Sequence, residues 1–173
     1  YSLRSDLSLV YCRAAVTSKD NQLLQLKKLV SLGQKTSQKN ILCSCWNVRS
    51  LNNKIQSVMD FLSDQSISLL FVTETWMTCM NNDVTATVKS YGFNMIHQIR
   101  PPYSDKCRGG GVALIYNSQF LNITQVFEKT GESFEAVMGK FRDSSGEFVL
   151  CACIYRPGVL TDVFFTEFDE FIG

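Results

Sequence analysis

Ile41-Leu42-Cys43-Ser44-Cys45-Trp46-Asn47-Val48-Arg49-Ser50-Leu51 opens the organised part of this 173-residue chain. Its first six residues form a short apolar run of strand length, consistent with a buried strand. Asn52 then stands where a helix N-cap is wanted, ahead of Ile55, Val58, Met59 and Leu62 at i, i+3, i+4 and i+7. Ile67 to Val72 is a second apolar run bounded by polar residues, so strand, helix and strand follow within a βαβ-like unit. Further on the pattern turns to β. Phe93–Ile99, Gly111–Tyr116, Ile123–Glu128, Phe134–Phe141 and Phe148–Tyr155 are rich in branched and aromatic residues. Asp143-Ser144-Ser145-Gly146 has the chemistry of a turn joining the last two as a hairpin. Thr161 is placed to cap a closing helix carrying Phe164, Phe165, Phe168, Phe171 and Ile172 on one face. Helices flanking many strands point to an α/β sandwich.

Composition agrees with a packed domain. Hydrophobic residues make up 45% and charged residues 19%, which excludes disordered and collagen-like classes. No apolar run approaches the roughly 18 residues that span a bilayer, and the start has no hydrophobic signal core. The expected location is intracellular, cytoplasmic and nuclear, with no membrane partner. The single histidine, His97, excludes mechanisms that need two, and it reads as a structural residue in its strand. Residues 1–39 carry a net charge of +5 and residues 40–173 a net charge of −4. The first 39 residues read as a polar, basic linker or arm, with one short helix around Leu23, Leu24, Leu26 and Val30 ending at Gly33. Tyr1 opens the chain and the first methionine is Met59, as expected of a piece of a longer reading frame. The seven cysteines include no Cys-x-x-Cys. Cys43/Cys45 and Cys151/Cys153 read as small buried hydrophobes in a reducing compartment, with a zinc site or disulfides as rivals.

Two polar residues stand at the ends of apolar strands. Asn47 closes the first run and Glu74 the second, within Phe71-Val72-Thr73-Glu74-Thr75-Trp76. A carboxylate there is costly unless it is hydrogen-bonded or holds a cation. An amide and a carboxylate at one rim suit Mg²⁺, which keeps several waters and needs one or two carboxylates. A loop Asn and a surface Glu capping a turn are the plain alternative. Tyr155 by itself reads as a strand-end aromatic before the Pro157 turn.

The first stretch resembles the opening strand of the endonuclease/exonuclease/phosphatase superfamily. Within it the chain is most similar to the endonuclease domain of non-LTR (LINE-type) retrotransposons. Thr73-Glu74-Thr75-Trp76, Arg108-Gly109-Gly110-Gly111-Val112-Ala113, Phe134-Glu135 and Ile154-Tyr155-Arg156-Pro157 follow in the matching order. Together they cover about residues 41–172.

The resemblance implies the N-terminal part of a four-layered α/β/β/α (DNase I-like) sandwich, with its C-terminal part missing. It makes residues 40–173 a truncated domain that supplies about half of the sandwich and leaves an apolar face uncovered. It further implies a Mg²⁺-dependent (or Mn²⁺-dependent) DNA endonuclease that hydrolyses phosphodiester bonds when complete, fused to a downstream reverse transcriptase. Asn47, Glu74 and Tyr155 then match catalytic positions. Asn47 and Glu74 hold the metal, and the Tyr155 hydroxyl meets the phosphate. Glu135 is suggestive through the family pattern alone. Arg100, Lys106 and Arg108, around the Pro101-Pro102 loop, are candidate contacts to DNA phosphates or charges of a solvated loop; Arg156 is a further candidate. Arg108-Gly109-Gly110-Gly111 lacks the Lys-Ser/Thr of a phosphate loop and reads as a tight lead-in to a strand. The family's Asp-x-Asn and Ser-Asp-His motifs have no counterpart in this sequence, so a non-catalytic remnant or interaction module remains a rival. So does a sister phosphoesterase or abasic-site nuclease.

Overall fold

A computed structural model of the chain describes residues 8–11, 28–29, 41–78, 82–99, 109–130, 133–156 and 162–172. The opening unit forms as its sequence dictates. Strand β3 (Leu42–Asn47) leads through helix α1 (Ile55–Asp64) to strand β4 (Leu69–Thr73), and the two strands pair in parallel. A parallel pair requires such a crossover, because a tight turn cannot reverse the chain twice. The helix buries Val58, Met59 and Leu62 on one face. Its N-cap is Lys54, without a side-chain cap bond, and not Asn52. The Lys54 ammonium instead bonds the carbonyl oxygens of Val48 and Arg49 in the preceding loop.

Nine strands lie in two sheets. The five-stranded sheet has the order β2-β3-β4-β6-β5, with β2 (Lys28–Leu29), β5 (Phe93–Gln98) and β6 (Val112–Asn117) joining the opening pair. The four-stranded sheet has the order β1-β9-β8-β7, from β1 (Ser8–Tyr11), β7 (Thr124–Thr130), β8 (Glu135–Arg142) and β9 (Phe148–Tyr155). Strands β8 and β9 are joined by the expected turn, with Gly146 N–H bonding the Asp143 carbonyl at 3.1 Å.

The two described pieces of the arm are therefore strands. Lys28–Leu29 pairs with β3 where a helix was expected, and Ser8–Tyr11 pairs with β9 where a linker was expected. Strand formation there satisfies backbone groups on the outer edges of β3 and β9, a gain that residue periodicity does not report. The remainder of that helix, and its stop at Gly33, lie outside the described residues.

Alternation along each strand sorts the core into three parts. Between the sheets lie Cys45, Leu69, Phe71, Val112, Leu114, Val137, Cys151 and Cys153. Behind the five-stranded sheet, α1 and helix α2 (Asn82–Ser90) pack Val58, Met59, Leu62, Val84 and Val88 on Leu70, Val72, Ala113 and Ile115. Behind the four-stranded sheet, helix α3 (Asp162–Ile172) sets Phe164, Phe168 and Phe171 against Phe134, Ala136 and Met138. The order is helix, sheet, sheet, helix: a four-layered α/β/β/α sandwich.

Two expectations are corrected here. The facing sides of the sheets cover each other, so the expected bare apolar face does not arise among the described residues. Phe165 is 53% exposed and leaves the face of Phe164, Phe168 and Phe171, because consecutive helical residues point about 100° apart. The expected cap Thr161 lies outside the described residues. Among the described residues no helix is long and apolar enough to cross a membrane.

Candidate active site

The same alternation that builds the core between the sheets places the polar cluster. On β3, Cys45 faces the opposite sheet, so Asn47 two residues on shares that face. Thr73 follows Phe71 in the same way on β4, and Tyr155 follows Cys153 on β9. Glu135 precedes Val137 on β8. Asn47 is the register partner of Thr73, and Glu135 that of Tyr155. One end of the space between the sheets thus collects polar side chains from both.

Glu74 is the centre of this cluster. Its Oε1 accepts a hydrogen bond from Asn47 Nδ2 at 3.1 Å and from the Tyr155 hydroxyl at 2.8 Å. The second bond ties the two sheets together. No bond among the described residues engages Oε2, and Asn47 Oδ1 is buried without a hydrogen-bond partner. A buried, unpartnered amide oxygen beside a carboxylate is a donor set that fits a hard cation.

The backbone here is held in sparsely populated conformations. Glu74 has a φ of 55°, Trp76 of 51°, Arg49 of 46° and Ser50 of 80°. Such strain persists where surrounding bonds over-determine it. The loop after β3 bonds the loop after β4, through Val48 N–H to Thr73 O (3.0 Å), Ser50 N–H to Glu74 O (2.9 Å) and Leu51 N–H to Thr75 O (2.8 Å). On the other side Thr75 N–H bonds Gly111 O (3.1 Å) and Trp76 N–H bonds Gly110 O (3.0 Å).

This sandwich and its site can now be set beside known proteins. No family model matches the chain, and no curated protein matches it. Solved structures do. An endonuclease/exonuclease/phosphatase from Bacteroides vulgatus aligns over 76% of this chain and 60% of its own, at 14% identity and a TM-score of 0.54. D. rerio TDP2, in a complex with single-strand DNA product, aligns over 74% of this chain and 51% of its own, at 10% identity and a TM-score of 0.50. The chain has the endonuclease/exonuclease/phosphatase fold. It spans less than two thirds of the length of either structure.

Within that fold, Glu135 supports the site from beneath. Its buried carboxylate accepts the Gly111 N–H, while the Gly111 carbonyl accepts from Thr75. The glycine run is accordingly a close-packed lead-in to β6, as read from sequence. Thr75, fully buried beside it, was not singled out in the sequence; an uninterrupted polar triplet after an apolar strand was its one signal.

The other candidates fall elsewhere. Arg156 follows β9, and its guanidinium lies 5.5 Å from the Phe164 ring of α3, away from Glu74. Its Nη1 is buried without a hydrogen-bond partner. Arg100, Lys106 and Arg108 lie outside the described residues. His97 sits half-buried in β5, and burial holds its pKa below the ordinary value, partly offset by the charge of Glu128. Cys43, Cys45, Cys151 and Cys153 are free thiols. Burial pushes the Cys151 thiol up to about 12, with a hydrogen bond to the Gly139 carbonyl easing it slightly. Among the described residues no group of three or more His, Cys, Asp or Glu side chains is placed to hold a metal, so the four cysteines do not form a zinc site.

Proposed function

We propose that this chain carries the cation- and phosphate-holding part of a Mg²⁺-dependent DNA endonuclease of the LINE-type retrotransposon kind, with Mn²⁺ as a substitute metal. The observation that carries the reading is the convergence of Asn47, Tyr155 and Glu74 on one carboxylate oxygen, from three strand ends in two sheets. The retrotransposon branch rests on the wording Thr73-Glu74-Thr75-Trp76 and Ile154-Tyr155-Arg156-Pro157, and fusion to a reverse transcriptase is part of the same reading. That D. rerio TDP2 was solved with a single-strand DNA product agrees with DNA as the substrate class.

Glu74 and Asn47 Oδ1 would hold the metal. When bound, it supplies Lewis-acid polarisation of a phosphoryl oxygen. Asn47 Nδ2 and the Tyr155 hydroxyl fix the rotamer of Glu74, so the carboxylate arrives already oriented. The Tyr155 hydroxyl is also the donor placed to meet a phosphate at this rim. Residues that activate the attacking water are supplied from outside residues 1–173 in this reading.

The test is nicking of supercoiled plasmid by this chain, and by its reading frame extended downstream, with and without Mg²⁺. The expected result is Mg²⁺-dependent nicking by the extended protein, reduced about 10²–10³-fold in Glu74→Gln, as on loss of a preorganised electrostatic group. Tyr155→Phe is expected to lower the rate by a smaller factor. Nicking that is indifferent to Glu74→Gln overturns the proposal.

A further inference from the structure

Trp76 is 40% exposed, two residues beyond the carboxylate at the centre of the site. Its support is rigid: Trp76 N–H bonds Gly110 O at 3.0 Å, and the Thr75 carbonyl before it accepts from Leu51 N–H at 2.8 Å. Positive φ is concentrated at this place. Among the described residues the non-glycine positions with positive φ are Arg49, Ser50, Ser66, Glu74 and Trp76, and all but Ser66 belong to this doubled loop. A large aromatic ring left in water on a strained, fully bonded backbone is an outlier of the kind that marks ligand clamps.

The partner loop presents a cation. Arg49 is exposed, between Val48, whose N–H bonds Thr73 O, and Ser50, whose N–H bonds Glu74 O. Its carbonyl is tied to the Lys54 ammonium at 3.1 Å, which immobilises the backbone beneath the guanidinium. The doubled loop therefore carries an aromatic face and a positive charge on residues that bracket Glu74. An aromatic platform beside a cation is the combination that takes single-stranded nucleic acid, the ring stacking on a base and the charge meeting its phosphate.

We propose that Trp76 and Arg49 form a binding site for an unpaired nucleobase and its attached phosphate, next to the Glu74 cluster. The inference rests on the reading of that cluster as a nucleic-acid phosphodiester site, and it adds the recognition element. Because every base has a stacking face, the site discriminates a base from no base and is tolerant of which base it is.

The experiment uses the two tryptophans of the chain. Trp46 is half-buried against Phe61 at 5.4 Å, so quenching by a ligand in solution reports on Trp76. The protein is titrated in EDTA, at one fixed salt concentration, with single-stranded oligo(dT) and with an abasic oligonucleotide of equal length and charge. Binding is followed both by tryptophan fluorescence and by anisotropy of a dye on the oligonucleotide. The expected result is quenching by oligo(dT) and about ten-fold or more tighter binding of oligo(dT) than of the abasic strand, the equivalent of one stacked base. Trp76→Ala abolishes that preference, and Trp76→Phe retains it. Arg49→Gln weakens both strands alike and lowers the salt slope by about 0.7.

A preference that survives Trp76→Ala overturns the proposal and leaves the reading of the Glu74 site intact. So does equal binding of the two strands by the wild type, the result expected if Trp76 serves a protein partner. No binding of either strand overturns both. An unchanged urea midpoint in Trp76→Ala shows that the variant is folded.

Discussion

A Cβ placed on Gly111 would meet Thr75 Oγ1 at 2.3 Å, at a backbone φ of 83° that L side chains rarely adopt. Both faults act on the loop that carries Glu74, because Thr75 is bonded to Gly111. Gly111→Ala is expected to lower the unfolding free energy by about 2–4 kcal/mol, from left-handed strain plus overpacking, measured by urea denaturation. His97 yields a pH dependence of known sign. Burial lowers its folded-state pKa from 6.5, so the unfolded chain binds the proton first. The stability involved is complete above the ordinary pKa and is lost as pH falls below it toward the folded-state value. Unfolding midpoints are expected to fall as pH drops below about 6.5, with a flatter profile in His97→Gln. An unchanged profile in that variant would remove His97 as the cause. The glycine run was legible as a tight strand lead-in. Its clamp by Glu135 was not, because the two lie 24 residues apart and meet only by folding.

Elements were legible to the degree that burial left a period in the sequence. Strand β9 was expected at Phe148–Tyr155 and forms there, since it is apolar and ends in the Asp143–Gly146 turn on one side. Helix α2 was not expected: Asn82-Asp83-Val84-Thr85-Ala86-Thr87-Val88-Lys89-Ser90 has two branched threonines of poor helix propensity. It forms because Val84 and Val88, one turn apart, are buried on the five-stranded sheet. In the β8–β9 hairpin, Asp143 Oδ1 accepts from Ser145 N–H (2.8 Å), Ser145 Oγ (2.6 Å) and Glu147 N–H (2.9 Å). These bonds, that of the Ser145 hydroxyl first, hold the carboxyl below its ordinary pKa. Asp143→Ala is expected to cost about 1 kcal/mol in urea denaturation at neutral pH. For this lowered carboxylate the advantage is present above the ordinary pKa of 3.8 and disappears as pH falls through the folded-state value. Variant and wild type should therefore converge in acid.

At the scale of the whole molecule the sheets meet most closely at Gly139. A Cβ there would lie 2.4 Å from Ile123 Cγ2, 3.1 Å from Ile96 Cδ1 and 3.3 Å from Leu114 Cδ1, atoms of side chains that must all yield. Gly139→Ala is expected to cost about 1–3 kcal/mol by overpacking, read as a lower thermal midpoint. The cost reaches the site, because Glu74 belongs to one sheet and Tyr155 to the other, 2.8 Å apart. The same separation of sheets should lengthen that bond. A tyrosine side-chain signal unchanged between Gly139→Ala and wild type would show that the sandwich absorbs the strain locally.

Alternation and strand ends are local properties, and the sequence alone determined them: which residues face inward, and that Asn47, Glu74 and Tyr155 each close an apolar run. It determined the sandwich class for the same reason, since helices beside two-faced strands have few ways to bury both. Tertiary structure decided what each strand end meets. The Tyr155–Glu74 bond, the Glu135–Gly111 clamp and the positive φ of Glu74 and Trp76 depend on the register of strands far apart in the chain. A two-residue period is blind to that register, because it repeats identically along every strand and carries no record of the partner.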